Sequence, residues 1–334
     1  MTPRPGQTFL GAPSAAPEDL AASGISAGAA GFAFLGLPLY VPYGDEPPAA
    51  PSAPSGAAAQ DAGSPAGAVR RASSSYAPVP DHHDFDLGGP LVPDGVKASF
   101  FDCGDVPLGA ARGSSDGLAA DLAAGTAAVR SIAAAGAVPL VVGGDHSAPP
   151  VVVRGLQDDG PLAVLHVDAH LDYRDEVAGL SDGYSSPIRR LRDLPWVTTV
   201  VQVGLRDVGS ARAAEVEAAR ADGNFLVLAE EVHEHGAALL DELVALFDPE
   251  HRVYITIDVD GLDPACAPGT LWPAPGGLWF WQVARLIRGV VARCELAGMD
   301  VCEFVPERDH QGLTALAAAR LFMIAAGTSL RRRV

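Results

Sequence analysis

Three short segments carry residues able to hold a divalent metal: Asp145 and His146 in a Gly-Gly-Asp-His-Ser turn, Asp168 with His170 and Asp172, and Asp258 with Asp260. They offer two imidazoles and several carboxylates without a cysteine, a donor set suited to two hard or borderline divalent ions. The chemistry they point to is two-metal hydrolysis. In Asp168-Ala-His170-Leu-Asp172 the polar residues fall at i, i+2 and i+4. An extended backbone would put them on one face and turn Ala169 and Leu171 to the other. Asp258-Val-Asp260 repeats the spacing. One such segment alone is as readily a polar strand end; the recurrence carries the metal reading. Gly143-Gly144 permits a tight turn before His146, and Ser147 is placed to cap a helix with Pro149 and Pro150 in its first turn.

Each cluster follows an apolar run: Val141-Val142 precedes Gly143, Val164 to Val167 precedes Asp168, and Tyr254 to Ile257 precedes Asp258. Strands are expected at 31–38, 138–142, 162–167, 198–203, 225–228, 252–257 and 296–301. Helical composition is found at 116–135, 211–221, 237–247, 278–293 and 313–326. Strands that alternate with helices imply right-handed crossovers and a mostly parallel sheet covered on both faces. Ligands bind such sheets at the carboxyl ends of strands, so the three clusters can meet there.

The chain has 334 residues, 48% hydrophobic and 19% charged, enough for one large α/β core. The expected organisation is an N-terminal arm (1–30) and a single catalytic domain (31–330), with an irregular Pro/Ala/Ser/Gly-rich loop at about 45–67. That loop reads as a flexible insertion, with a lid or a subunit contact as the alternatives. A formal net charge of −18 argues against nucleic acid and anionic membrane surfaces as partners. Cys103, Cys266, Cys294 and Cys302 show no CxxC pairing and read as reduced residues of a cytoplasmic protein. The apolar run at 25–41 holds Pro38 and many Gly and Ala residues, and reads as a buried first strand rather than a membrane segment.

In this order, Gly143-Gly-Asp-His-Ser147, Asp168-Ala-His-Leu-Asp172, Ile257-Asp-Val-Asp-Gly-Leu-Asp-Pro264 with Ala267-Pro-Gly269, and Asp300-Val-Cys-Glu303 closely resemble the ureohydrolase superfamily. That superfamily includes arginase, agmatinase, guanidinobutyrase and formimidoylglutamase. Weaker matches at Phe34-Leu-Gly-Leu-Pro38, Gly67-Ala-Val-Arg70, Asp102-Cys-Gly-Asp105 and Val203-Gly-Leu-Arg206 extend the similarity over about residues 31–327.

The resemblance implies a three-layer α/β sandwich with a central eight-stranded, mainly parallel sheet and two Mn²⁺ ions per subunit. One ion would be held by His146, Asp168, Asp172 and Asp258, the other by His170, Asp168, Asp258 and Asp260, with Asp168 and Asp258 bridging. A hydroxide between the ions would attack a guanidinium carbon and release urea and an amine. Asp172 would orient that nucleophile, and Glu303 would bind the planar guanidinium by charge-assisted hydrogen bonds.

Two positions bear on specificity. Tyr184, in Asp182-Gly-Tyr-Ser-Ser-Pro-Ile-Arg-Arg190, falls where agmatinase-like members carry a His. A phenol with a reference pKa near 10 is a poorer proton shuttle at neutral pH than an imidazole, and His233 or His235 are alternative groups. Arg174, in Tyr173-Arg-Asp-Glu176, could meet a substrate carboxylate or make a surface salt bridge. The loop is more similar to the agmatinase-like branch than to arginase. The leading expectation is therefore an amidinohydrolase acting on agmatine, a guanidino acid or a larger guanidino compound. A formimino hydrolase releasing formamide and a metal-binding, non-catalytic member are the alternatives. A trimeric or hexameric homo-oligomer is implied by resemblance only.

Overall fold

Each expected apolar run forms a strand of a single eight-stranded sheet. The computed structural model describes residues 8–22, 29–41, 43, 63–77, 79, 81–108, 115–156 and 160–333. Its strands are β1 (Ala30–Gly36), β2 (Ala98–Asp105), β3 (Ala137–Val142), β4 (Leu162–Val167), β5 (Val197–Leu205), β6 (Phe225–Leu228), β7 (Arg252–Asp258) and β8 (Glu295–Cys302). They lie in the order β2-β1-β3-β8-β7-β4-β5-β6, and every pairing between them is parallel. This places β3, β8, β7 and β4 side by side. The three candidate metal segments leave the carboxyl ends of β3, β4 and β7, so topology alone brings them together.

The helices are α1 (Pro65–Ser73), α2 (Ser115–Ala134), α3 (Ala148–Gly155), α4 (Pro187–Arg192), α5 (Ala213–Ala221), α6 (Ala229–Ala245), α7 (Phe280–Arg293) and α8 (Leu313–Arg331). Period-two alternation along the strands feeds two cores. On β4, Ala163, Leu165 and Val167 pack with residues of α1, α6, α7 and α8, while Leu162 and Val164 pack with α2, α3 and α4. The result is a three-layer sandwich. Helix α8 is long and apolar enough to cross a membrane by composition, but 72% of its apolar window is buried inside the fold.

Several boundaries differ from the sequence reading. Strand β2 had no clear apolar run, because Asp102 and Asp105 at its end are held by Arg70: Arg70 Nε lies 2.9 Å from Asp102 Oδ2 and Nη1 lies 2.6 Å from Asp105 Oδ1. Helix α1 begins inside the stretch assigned to the 45–67 loop, with Ser64 Oγ accepting from the Gly67 amide at 2.9 Å. Residues 45–62 lie outside the described residues. The described part of the N-terminal arm is packed into the fold: the Phe9 ring stacks on Phe34 with centroids 4.6 Å apart, and the Phe9 amide donates to Asp102 Oδ2 at 2.7 Å. Helix α6 starts well before residue 237, because Gly236 (φ 57°) kinks it and masks its first half as a separate segment.

Candidate metal centre

The turn after β3 is fixed by the segment that follows β1. Asp145 was grouped with the possible ligands, but its carboxylate is occupied in holding the turn. It accepts from the Val41 amide at 2.6 Å, the Ser147 amide at 3.0 Å and the Ser147 hydroxyl. Ser147 therefore makes no side-chain cap for α3, contrary to expectation. A Cβ at Gly144 would sit 2.0 Å from Leu39 O, so this close approach requires glycine. The outcome is a His146 imidazole buried above the strand ends.

The segments after β4 and β7 depart from the extended path that the i, i+2, i+4 spacing predicts. Asp172 has φ 50°, and Val259–Gly261 form a single 3₁₀ turn in which Asp258 accepts from the Asp260 amide at 2.9 Å. The candidate ligands converge nonetheless. His146 Nδ1 lies 2.8 Å from Asp172 Oδ2, 3.1 Å from Asp168 Oδ2 and 3.6 Å from Asp258 Oδ2. His170 Nδ1 lies 3.2 Å from Asp260 Oδ2 and 3.5 Å from Asp168 Oδ1. Asp168 thus turns one oxygen to each histidine. It is the carboxylate common to two adjacent groups able to hold an ion, one with His146 and Asp172, the other with His170 and Asp260.

The electrostatics fit a cation site. Burial, then the charge of Asp168, pushes Asp172 up to about 6. Burial, then Asp260, drives Asp258 well above the ordinary carboxylate range, and burial, then Asp168, raises Asp260. Against the cost of its own burial, the flanking His166 and His146 imidazoles hold Asp168 well below that range. His170 resists its burial and rises to about 10, chiefly through its hydrogen bond to Asp260. Carboxylates crowded until they favour protonation, around two imidazoles, form a donor set whose repulsion two divalent ions would relieve.

Beneath the ligands runs a polar row that sequence reasoning missed. Gln202, His166, Thr256 and Asp300 sit at one register across β5, β4, β7 and β8. Gln202 Nε2 donates to His166 Nδ1 at 3.0 Å, so His166 carries its proton on Nε2 and donates it to Asp168 Oδ2 at 2.8 Å. His166 therefore orients a ligand and does not itself have a lone pair free for metal. Asn224 Nδ2 donates to Gln202 Oε1 at 3.0 Å and fixes the amide. On the other side Thr256 and Tyr254 both donate to Asp300. The available signal was a polar residue inside each apolar strand.

Glu303 follows β8 and lies beside the His146 turn. Its Oε1 accepts from the His146 amide at 2.9 Å, and burial, then the charge of Asp145, pushes it up to about 8. Tyr184 lies in a loop attached to the site: the Ser185 carbonyl accepts from the Arg174 amide at 3.0 Å and the Ile188 amide donates to Asp172 O at 3.2 Å. The Tyr184 ring packs at 4.5 Å against Tyr43, whose hydroxyl accepts from the Ser185 amide at 2.9 Å. Tyr43 was not singled out in the sequence. Arg174 Nη1 forms an ion pair with Glu215 Oε1 at 3.0 Å. His233, offered as an alternative shuttle, is turned to the Gly277 carbonyl at 2.9 Å.

The model of the Arginase family matches residues 51–327, most of the chain and all of the candidate ligands. This chain belongs to the arginase family. Proclavaminate amidinohydrolase from Streptomyces clavuligerus is 35% identical over 190 residues, 56% of this chain and 60% of that protein. Its solved structure superposes with a TM-score of 0.77 at 26% identity, covering 98% of this chain and 97% of that one. Mitochondrial agmatinase from Gallus gallus is 38% identical over 58% of this chain and 57% of its own length. Mitochondrial guanidino acid hydrolase from Homo sapiens is 37% identical over 58% of this chain and 55% of its own length. In sequence, then, the chain spans little more than half the length of these family members.

Proposed function

We propose that the chain is a manganese-dependent amidinohydrolase that cleaves a guanidino compound to urea and an amine. The observation that carries this reading is Asp168, one carboxylate oxygen facing His146 and the other His170. His146, Asp168, Asp172 and Asp258 would hold one ion, and His170, Asp168, Asp258 and Asp260 the other. When bound, two such ions would lower the pKa of a coordinated water and offset the crowded carboxylates. Asp172 stands beside His146, placed to orient the attacking water. Glu303 stands at the His146 amide and would accept the guanidinium N–H groups, placing the carbon for attack. The proton needed by the departing amine is assigned to the Tyr184 side of the site, where the resemblance implies an imidazole and this chain has a phenol.

The test is product analysis. Protein loaded with Mn²⁺ is incubated with agmatine, guanidino acids and arginine, and both urea and formamide are measured. Urea supports the proposal. Formamide from a formimino substrate, without urea from any guanidine, would replace it. Loss of bound Mn²⁺ in Asp168→Ala would tie turnover to the centre. We place the enzyme in the cytoplasm, as a homo-oligomer, on the reading of its cysteines and of the resemblance.

A further inference from the structure

Arg206 follows β5 and reaches the segments that leave two other strands. Among the described residues its half-buried guanidinium donates only to main-chain carbonyls. Nη2 donates to Asp260 O, to Ala274 O at 2.7 Å and to Leu262 O at 3.3 Å. Nη1 donates to Gly204 O at 2.8 Å and Gly261 O at 3.4 Å, and Nε to Ala274 O at 3.2 Å and Pro275 O at 3.3 Å. One planar fork thus gathers the end of β5, the 3₁₀ turn after β7 and the stretch at 274–275.

The main chain of the same residue holds the segment after β4. The Arg206 amide donates to Ala169 O at 2.9 Å, between Asp168 and His170. The Ala169 amide donates in turn to Asp260 Oδ1 at 3.2 Å. Packing leaves these segments no slack: a Cβ at Gly261 would lie 2.7 Å from the Asp168 amide nitrogen, and one at Gly277 would lie 2.5 Å from Arg206 Nη2.

We propose that Arg206 is a positioning residue for one of the two ion sites, the one formed by Asp168, His170 and Asp260. The inference rests on the two-metal reading of the centre. Its one-sidedness follows from the contacts. Arg206 holds the turn that bears Asp260 through its guanidinium and the segment that bears Asp168 and His170 through its amide; among the described residues it makes no hydrogen bond to the His146 turn or to Asp172. The carboxylates of Asp168 and Asp260 repel one another, which adds to burial in raising Asp260. A turn not tied at its carbonyls would relax that repulsion by moving Asp260 away. Lysine could supply a positive charge here, but a single ammonium on a flexible stem cannot span carbonyls on three segments.

The experiment is calorimetric titration of the metal-free full chain with Mn²⁺, with paramagnetic resonance to tell coupled from isolated ions and urea release followed in parallel. Arg206→Met, which keeps an apolar stem, is expected to weaken one ion about 10- to 100-fold and to leave the other unchanged. Arg206→Lys should weaken the same ion. His170→Ala removes a ligand of that ion, so adding Arg206→Met to it should cost little more, whereas adding it to Asp172→Ala should cost the full amount. Arg331, near the end of α8, also donates to main-chain carbonyls, of Gly327 and Pro90. Arg331→Met should lower Tm without separating the two ions, which is the signature of a purely structural loss. Equal weakening of both ions by Arg206→Met, no weakening of either, or full binding in Arg206→Lys would overturn the proposal. If Arg206→Met does not fold, Arg206→Lys decides by the same criteria. Two ions bound by the unaltered chain without urea from any guanidine would count against the hydrolase reading and leave the role of Arg206 standing. Fewer than two ions in the unaltered chain would count against both.

Discussion

Thr256 Oγ1 lies 3.0 Å from His146 Nε2 and donates its own proton to Asp300 Oδ1 at 2.8 Å. Because the hydroxyl proton is committed to Asp300, Thr256 accepts from His146 Nε2–H. That leaves Nδ1, which faces Asp172, Asp168 and Asp258, as the nitrogen that would give up its proton to take a metal. A threonine in the sheet thus sets the tautomer of a metal-site histidine. Thr256→Val keeps the shape and removes the acceptor. It is expected to weaken Mn²⁺ binding about 10- to 100-fold while the fold is retained. Titration of the metal-free protein measures this, and an unchanged affinity would refute the role.

Glu303→Gln separates guanidinium binding from metal binding. Glu303 touches His146 through the backbone amide and not through the ring. The KM for a guanidino substrate should rise about 10- to 100-fold, as expected for loss of a charge-assisted hydrogen bond, with metal content unchanged. Loss of metal instead would make Glu303 part of the ion site.

Tyr184→His tests proton delivery. The ring stands against Tyr43, and a Cβ at Gly183 would lie 2.3 Å from Tyr43 Cε1, so Tyr43 and Gly183 together fix the loop that presents residue 184. An imidazole there should raise kcat at pH 7 about tenfold or more and bring a group titrating near ~6.5 into the pH profile. A profile identical to that of the unaltered protein would exclude this position from proton transfer.

The metal-free protein should lose stability as pH rises. Asp172 at about 6, Asp300 at about 7 and Glu303 at about 8 are all raised above their ordinary values, each first by burial. A raised carboxyl favours the folded state fully below its unfolded pKa and loses that contribution as pH climbs through its folded pKa. The loss therefore falls between about pH 4 and 8. His170, raised to about 10, adds to the fall from about pH 6.5 upward. Thermal melts of the metal-free protein should show Tm falling from pH 5 to 8, and Mn²⁺ should remove most of the slope while binding releases protons. A flat or rising Tm without metal would contradict the crowding described here.

The sheet was legible because buried parallel strands read as apolar runs, and the candidate ligands were legible because they leave the ends of those runs. What escaped detection had physical reasons. Strand β2 is an edge strand whose final residues are polar and paired with Arg70, so it lacks the apolar signature of β4 or β7. Helix α1 is built from small residues and arginines and begins at a proline, which reads as loop. The clusters converge by a local geometry other than the extended one their spacing predicts: at φ 50° Asp172 leaves the extended path, yet its carboxylate still reaches His146. The partners of the ligands depend on register between strands distant in sequence, so His166, Gln202, Thr256 and Asp300 could be seen as odd polar residues but not as a row. Arg174 was visible as a cation near the site; its partner was not, because Glu215 lies on the helix after a different strand.

The most direct test of the account is to count bound Mn²⁺ and released urea together, in the unaltered protein and in Asp168→Ala. The account predicts about two ions per chain with urea released from a guanidino substrate, since Asp168 faces both histidines. In the variant both should be lost in a chain that still folds. Full metal content and undiminished urea release after removal of Asp168 would contradict it.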